Sequence, residues 1–299
     1  MAWTVTQVRR RSRENGLALP RLTEAAATTA GTPVYSCQLP VEDGWRTWSG
    51  LRELHAESGW WPFVAGDRGQ LAPWDGIGPR PDRAAVDRGR HLDPADLLAA
   101  RATAATGRRS AGPRATEPEA AGTGAAGTGA AGTGAAGTGG AGAGAADARA
   151  KFDRQVTSLA TEVAAAVNLD QATEAVPFPL RSGTGLVTFC VTPARHGYEV
   201  PALLDWSGAH AYGLGGAEHY AILRHLHRHY GAELVTLAGK TTMSLLVGRR
   251  PRTPLAAARA AVELAAYCPD VVEPQPGGLL GLVRTQLLAS SWVLFWSAA

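Results

Sequence analysis

The 299-residue chain is 45% hydrophobic and 18% charged, ordinary proportions for a globular protein with room for a core. A net charge of +3 gives no warrant for nucleic acid or a membrane surface as partner. No run of about twenty apolar residues is present to span a bilayer. Cys37, Cys190 and Cys268 are odd in number and far apart, so no disulfide framework is implied and a cytoplasmic, reducing location is expected.

In chain order, Arg9, Arg10, Arg11 and Arg13 read as a solvated, frayed tail. Pro33 to Leu39 alternates and reads as a strand. Asp43 is the expected N-cap of a helix from Gly44 to about Ser58, with Trp48, Leu51, Leu54 and His55 on one face and Gly59 closing it. Trp60 to Val64 reads as a buried strand, and Pro73 to Pro94 as loop. This first part ends near residue 100. Residues 101–150 read as a disordered linker, centred on four copies of AAGTG from Ala120 to Gly139 that carry no large apolar side chain to offset the entropy of ordering.

The third part, residues 151–299, opens with a helix whose Phe152, Val156, Leu159, Val163 and Val167 fall on one stripe. A breaker region with Pro177, Pro179, Gly183 and Gly185 follows. Strands are expected at Leu186–Val191 and Glu199–Trp206, then a loop from Gly208 to Gly216 and a helix from Ala217 to Tyr230, stopped by Gly231. Leu234–Ala238 and Met243–Val247 read as a hairpin around Gly239-Lys240. Thr253-Pro254 starts a helix that runs to Tyr267 and ends at Cys268-Pro269-Asp270. A helix over Leu279–Ala289 and a strand over Ser291–Trp296 complete the chain. This order suits an α+β fold, a mixed or antiparallel sheet with helices packed on one face. The first part is too small to stand alone and is expected to dock on the third.

Several pieces of the third part are ordered and spaced as in a known family. They are Asp205-Trp206-Ser207-Gly208, Leu223-Arg224 followed by Tyr230-Gly231-Ala232, the AVELAAYCPD run from Ala261 to Asp270, Gln275, and the terminal Trp292-x-x-Phe295-Trp296. From about Thr188 onward the chain resembles the domain of unknown function 4253 family, found mostly in bacteria and common in actinomycetes. Trp45 to Val64 resembles the segment that often precedes that domain. The chain departs from the family's usual Glu-His at Glu263-Leu264, from its Trp-Glu at Leu226-His227, from a loop asparagine near His210 and Ala211, and from an acidic ending at Ser297-Ala298-Ala299. The resemblance implies no activity.

Glu263 and Asp270, two turns apart and about 10 Å by helical rise, are the candidate acid–base pair, although Glu263 is also placed to pair with Arg259. His225 and His229 share one side of a helix while His227 faces away. The three therefore cannot hold one ion, and only the pair His225 and His229 remains as a metal candidate, with histidines at a helix rim the plainer reading. Gly239-Lys240-Thr241 lacks the upstream glycine of a phosphate loop, since Leu234 stands there. Gly213-x-Gly215-Gly216 lacks the third glycine of a dinucleotide fingerprint. Cys268, at a helix C-terminus, is poorly placed for a nucleophile. Trp60, Trp61, Asp205, Trp206, Gln275, Trp292 and Trp296 are the candidate binding surface.

Two functions are compatible with these residues. One is a non-enzymatic binding protein, with a protein-neutralising or immunity-type role as its concrete form, no cofactor, and a protein or small molecule as partner. The other is an enzyme with an acidic site around Glu263, Asp270, Asp205 and Gln275.

Overall fold

The computed structural model describes residues 3–17, 19–27, 31–66, 84–110, 141–171, 185–206, 208–239 and 241–297. The AAGTG repeats, the loop expectation over 73–83, Pro177, Pro179, Gly183, Ser207, Lys240, Ala298 and Ala299 lie outside these described residues.

The described elements in chain order are α1 (Val5–Glu14), β1 (Thr23–Ala27), β2 (Pro33–Pro40), α2 (Val41–Glu53), α3 (His55–Ser58) and β3 (Trp60–Val64). Then come α4 (Ala85–His91), α5 (Pro94–Ser110), α6 (Ala141–Ala166), β4 (Leu186–Pro193), α7 (Val200–Leu203) and α8 (Gly216–Tyr230). The chain closes with β5 (Ala232–Ala238), β6 (Thr242–Val247), α9 (Pro254–Tyr267), α10 (Leu279–Leu282) and β7 (Ser291–Phe295).

The strands form one mixed sheet in the order β1-β2-β4-β3-β5-β6-β7, so the fold is α+β. β4 pairs antiparallel with β2 on one side, Tyr35 opposite Val191, and with β3 on the other, Trp61 opposite Thr192. β2–α2–α3–β3 is therefore a parallel crossover with β4 laid between its strands. β3 in turn pairs parallel with β5 at Val64 and Thr236, and β5, β6 and β7 follow as an antiparallel meander. The first part thus docks on the third by sharing its sheet. Val187 to Thr192 of β4 are all buried. Neighbouring strand residues point to opposite faces, so both faces of the sheet are covered there.

Long-range polar contacts reinforce the junction. Arg52 of α2 forms a two-pronged ion pair with Glu233 of β5, one bond being 2.8 Å, and its guanidinium lies 4.8 Å over the Trp61 ring. Arg101 of α5 donates to the carbonyls of Ala266 and Tyr212, both at 2.9 Å. The α6 stripe is buried as expected at Phe152, Val156, Leu159 and Val163. α8 ends at Gly231, whose φ of 61° is the left-handed conformation of a helix C-cap.

Five expectations need correction. The arginine-rich tail is helix α1, because Thr4 and Gln7 form a reciprocal capping box and Val8 and Ser12 are buried. α2 starts earlier, after Pro40, with Asp43 in its first turn and no side-chain cap. Residues 85–91, expected as loop, are α4. The ends of the 101–150 linker are helical, since α5 runs to Ser110 and α6 begins at Ala141. The backbone amides of Ala95 and Asp96 donate to Asp93, which starts α5, and alanine favours helix without needing a bulky stripe. Glu199–Trp206 is no strand: a 3₁₀ turn at Gly197–Glu199 leads into α7, with Pro201 in its first turn. Proline there is pre-set for helix and would cost a strand its donor.

A shared sheet predicts the behaviour of a nicked chain. After cleavage at a protease site placed between Ala120 and Gly139, the two fragments should co-elute on a sizing column and separate only on denaturation.

Candidate functional site

Asp270 sits just beyond α9 in a 3₁₀ turn, Pro269–Val271, and is buried. Its Oδ2 accepts from the Ser297 backbone amide at 2.6 Å, the Ser297 hydroxyl at 2.5 Å, and the Tyr212 hydroxyl. Burial pushes the carboxyl's pKa up, but the bonds from Ser297 and Tyr212 outweigh it and hold the pKa below its ordinary value. Asp270 thus ties the C-terminal segment and the Tyr212 loop to the end of α9. Cys268 beside it donates to the Phe295 carbonyl at 2.8 Å, and burial pushes its thiol up to about 12, which removes it as a nucleophile.

Glu263 is also buried and has different partners. Its Oε2 accepts from the Tyr230 hydroxyl at 2.8 Å, and its Oε1 lies 3.1 Å from His225 Nε2. It bolts α9 to α8 rather than pairing with Arg259, which reaches Asp153 at 3.3 Å. The Tyr230 phenol, buried beside this carboxylate, is pushed far above its usual range by desolvation first and the Glu263 charge second. The rings of His225 and His229 stand 4.3 Å apart, while His227 turns to the Ala232 carbonyl at 3.1 Å. Among the described residues no three His, Cys, Asp or Glu side chains are grouped to hold a metal ion.

The Asp205-to-Gly208 turn has a backbone explanation. Asp205 is the one non-glycine residue with positive φ among those described, at 47°, a conformation aspartate tolerates better than most residues. A Cβ on Gly208 would lie 2.1 Å from the Trp206 ring, so glycine there lets the indole pack flat against the chain. Trp206 Nε1 donates to the Gly239 carbonyl at 2.6 Å.

The tryptophans do not form an open face. Trp60 is 6% exposed, Trp61 2%, Trp206 1%, Trp292 0% and Trp296 1%, which overturns their expected role as binding surface. Trp61 Nε1 donates to the Leu234 carbonyl at 3.1 Å, and Trp292 packs 5.1 Å from Tyr230. Trp206 and Trp296 instead box in His219, with ring centroids 5.1 and 6.1 Å away. His219 is fully buried and shares a 2.7 Å hydrogen bond between Nδ1 and the Tyr267 hydroxyl. Desolvation pushes its pKa down to about 3. Sequence reasoning missed His219, although stepping four residues back from Leu223 along the buried α8 stripe lands on it.

Gln275 is local as well: its Oε1 accepts from the Thr285 hydroxyl at 2.7 Å. Glu263, Asp270 and Gln275 therefore share no hydrogen-bond partner, and the expected acidic site does not assemble around them. The polar cleft lined by Leu169, Asp170, Arg250, Pro251, Arg252 and Leu288 contains none of the candidate residues.

Residues 188–297 match the family described as Domain of unknown function (DUF4253). No curated protein and no solved structure matches the chain.

Two expected outcomes test these internal roles. Asp270→Asn removes the charge that the Ser297 and Tyr212 donors converge on and should lower the unfolding free energy in urea by about 1–3 kcal/mol. His219 is neutral in the fold, whereas in the unfolded chain it titrates near its ordinary 6.5. The unfolded state takes up the proton first, so the stability present above pH 6.5 drains as the pH falls toward 3. One proton contributes at most about 1.4 kcal/mol per pH unit. His219→Phe should flatten the pH dependence of thermal unfolding by that one-proton slope.

Proposed function

We propose that this protein is a non-enzymatic binding protein. The observation that carries the reading is the use made of its motif carboxylates. Asp270 and Glu263 are each buried, each bonded by donors from their own chain, and engaged in separate clusters. A general acid or base must reach the proton it transfers, and the two carboxylates, held by different partners, do not converge on one set of groups. A scaffold fastened in this way presents surface rather than reactive groups. Neutralising a partner protein by covering part of its surface is the form of binding we favour.

One contact supports the enzyme alternative. Glu263 against Nε2 of the half-buried His225 is the arrangement by which a carboxylate orients an imidazole. The second carboxylate candidate, Asp270, lies in the other cluster.

The two readings differ in what a model-substrate screen returns. With ester, phosphate-ester, amide and glycoside substrates, the wild-type chain should give no turnover above the Glu263→Gln variant. Turnover that disappears in Glu263→Gln, with the circular dichroism spectrum and melting curve retained, would overturn the binding reading.

A further inference from the structure

α8 carries a second stripe beside its buried one. Tyr220, Arg224, His227 and Arg228 follow at spacings of four, three and one, on one side of the helix. Against this stripe lies the turn after β4. His196 is exposed and stacks on Tyr198 with centroids 4.7 Å apart and planes at 17°. The His227 ring lies 5.8 Å from His196 and 5.5 Å from Tyr198. Tyr198 meets the Tyr220 ring edge-on at 5.4 Å, and Arg224 covers Tyr220 at 5.3 Å. Arg224 and Arg228 are both close enough to act electrostatically on the Tyr198 hydroxyl. The rings and guanidinium groups thus form one continuous patch, with the exposed Arg195 at its edge.

The charge of this patch is unbalanced. Among the described residues, no carboxylate lies within ion-pair distance of Arg195, Arg224 or Arg228. The acid nearest Arg195 in sequence, Glu199, is buried and accepts from the Arg195 backbone amide at 2.9 Å; Glu218, nearest Arg224, accepts from the Gly215 amide at 3.0 Å, and Glu233, nearest Arg228, pairs with Arg52. Asp87, on the packed neighbour α4, pairs with Arg90 at 2.9 Å. Arginine and tyrosine are the side chains most often found at the energetic centres of protein interfaces, where planar groups lose little entropy on contact.

We propose that this surface, formed by Arg195, His196, Tyr198, Arg224, His227 and Arg228, docks an acidic segment of a partner protein. The proposal rests on the binding reading above and names the chemistry of the partner. Charge complementarity selects an acidic occupant. The ring arrangement favours a protein over a nucleic acid: His196 and Tyr198 stack on each other and Tyr198 is further flanked by Tyr220 and His227, so the rings do not stand as two separate platforms for successive bases. Arg195, Arg224 and Arg228, none of them in an ion pair among the described residues, flank a compact ring cluster, and Arg224 is held over it by the Arg90 carbonyl at 3.3 Å.

Fluorescence anisotropy with a labelled oligo-glutamate peptide tests the surface on the full-length chain. Binding should be salt-sensitive and weaken at least about tenfold in the Arg195→Glu/Arg228→Glu double variant, whose exposed positions leave the core untouched. A second double variant, Arg13→Glu/Arg21→Glu, changes the net charge equally and should retain wild-type affinity. Equal loss in both variants, no binding of the peptide by the wild type, or tighter binding of a single-stranded oligonucleotide than of the peptide would each overturn the proposal. None of these outcomes bears on turnover, so the binding reading itself stands or falls by its own screen.

Discussion

The insertion of Leu186–Pro193 between two strands from the opposite end of the chain is the constraint on which the rest of the molecule depends. β4 has β2 on one edge and β3 on the other, so neither neighbour completes a sheet without it. The pairing is non-local, joining Tyr35 to Val191 and Phe63 to Cys190, and its entropic cost must be met before its contacts form. Burial on both faces offsets that cost and also sets the register. A slip of one residue would exchange Phe189 and Val191 for Thr188 and Cys190 on each face, across a strand whose neighbours are fixed on both sides. Everything between β3 and β4, from α4 through α6, is an excursion that must return the chain to this slot.

The buried polar groups make sense within that frame. Moving Asp270, Glu263 and His219 out of water is costly unless each finds partners. Each finds at least one, on a different element: the C-terminal segment and the Tyr212 loop for Asp270, α8 for Glu263, and α9 for Nδ1 of His219, whose buried Nε2 has no hydrogen-bond partner. Hydrophobic contact alone would let α8, α9 and the terminal strand slide against one another at small cost. Directional bonds to desolvated acceptors penalise such slippage, because a displaced arrangement leaves a buried charge or donor unmet. The bonds that fix these helices thus come from partners within the chain itself.

Legibility in the sequence follows the range of each interaction. The α6 stripe, the Thr253-Pro254 start of α9 and the hairpin of β5 and β6 rest on spacing or capping within a few residues, and the structure places them where such signals put them. α5 was hidden because its sequence is alanine-rich and lacks a broad apolar face; its anchor, Arg101, reaches carbonyls more than a hundred residues away. The tryptophans misled for a related reason. Composition counts aromatic rings but says nothing of the carbonyls that receive their N–H groups, and those of Leu234 and Gly239 come from a strand and a turn remote in sequence. Glu263 was legible as an unusual residue on an apolar helix, but its partners Tyr230 and His225 lie across a helix interface, where single-helix periodicity gives no signal.

The sheet order also bears on the matched segment 188–297. That span contains most of β4 and all of β5, β6 and β7. Yet β4 and β5 are not neighbours, because β3 lies between them. Taken alone, the segment would leave β4 unpaired on both edges and β5 open along one, with Phe189, Val191 and Val235 losing cover. Bare edges and exposed apolar strands are conditions for misassociation rather than stable folding. Trp60 to Val64 is therefore part of the same structural unit although it precedes the segment by more than a hundred residues. Its Trp61, held by the Leu234 carbonyl and covered by Arg52, supplies the seam that joins β4 to the meander. The boundary of sequence similarity and the boundary of the folded unit are different here, and the position of β3 is the physical reason.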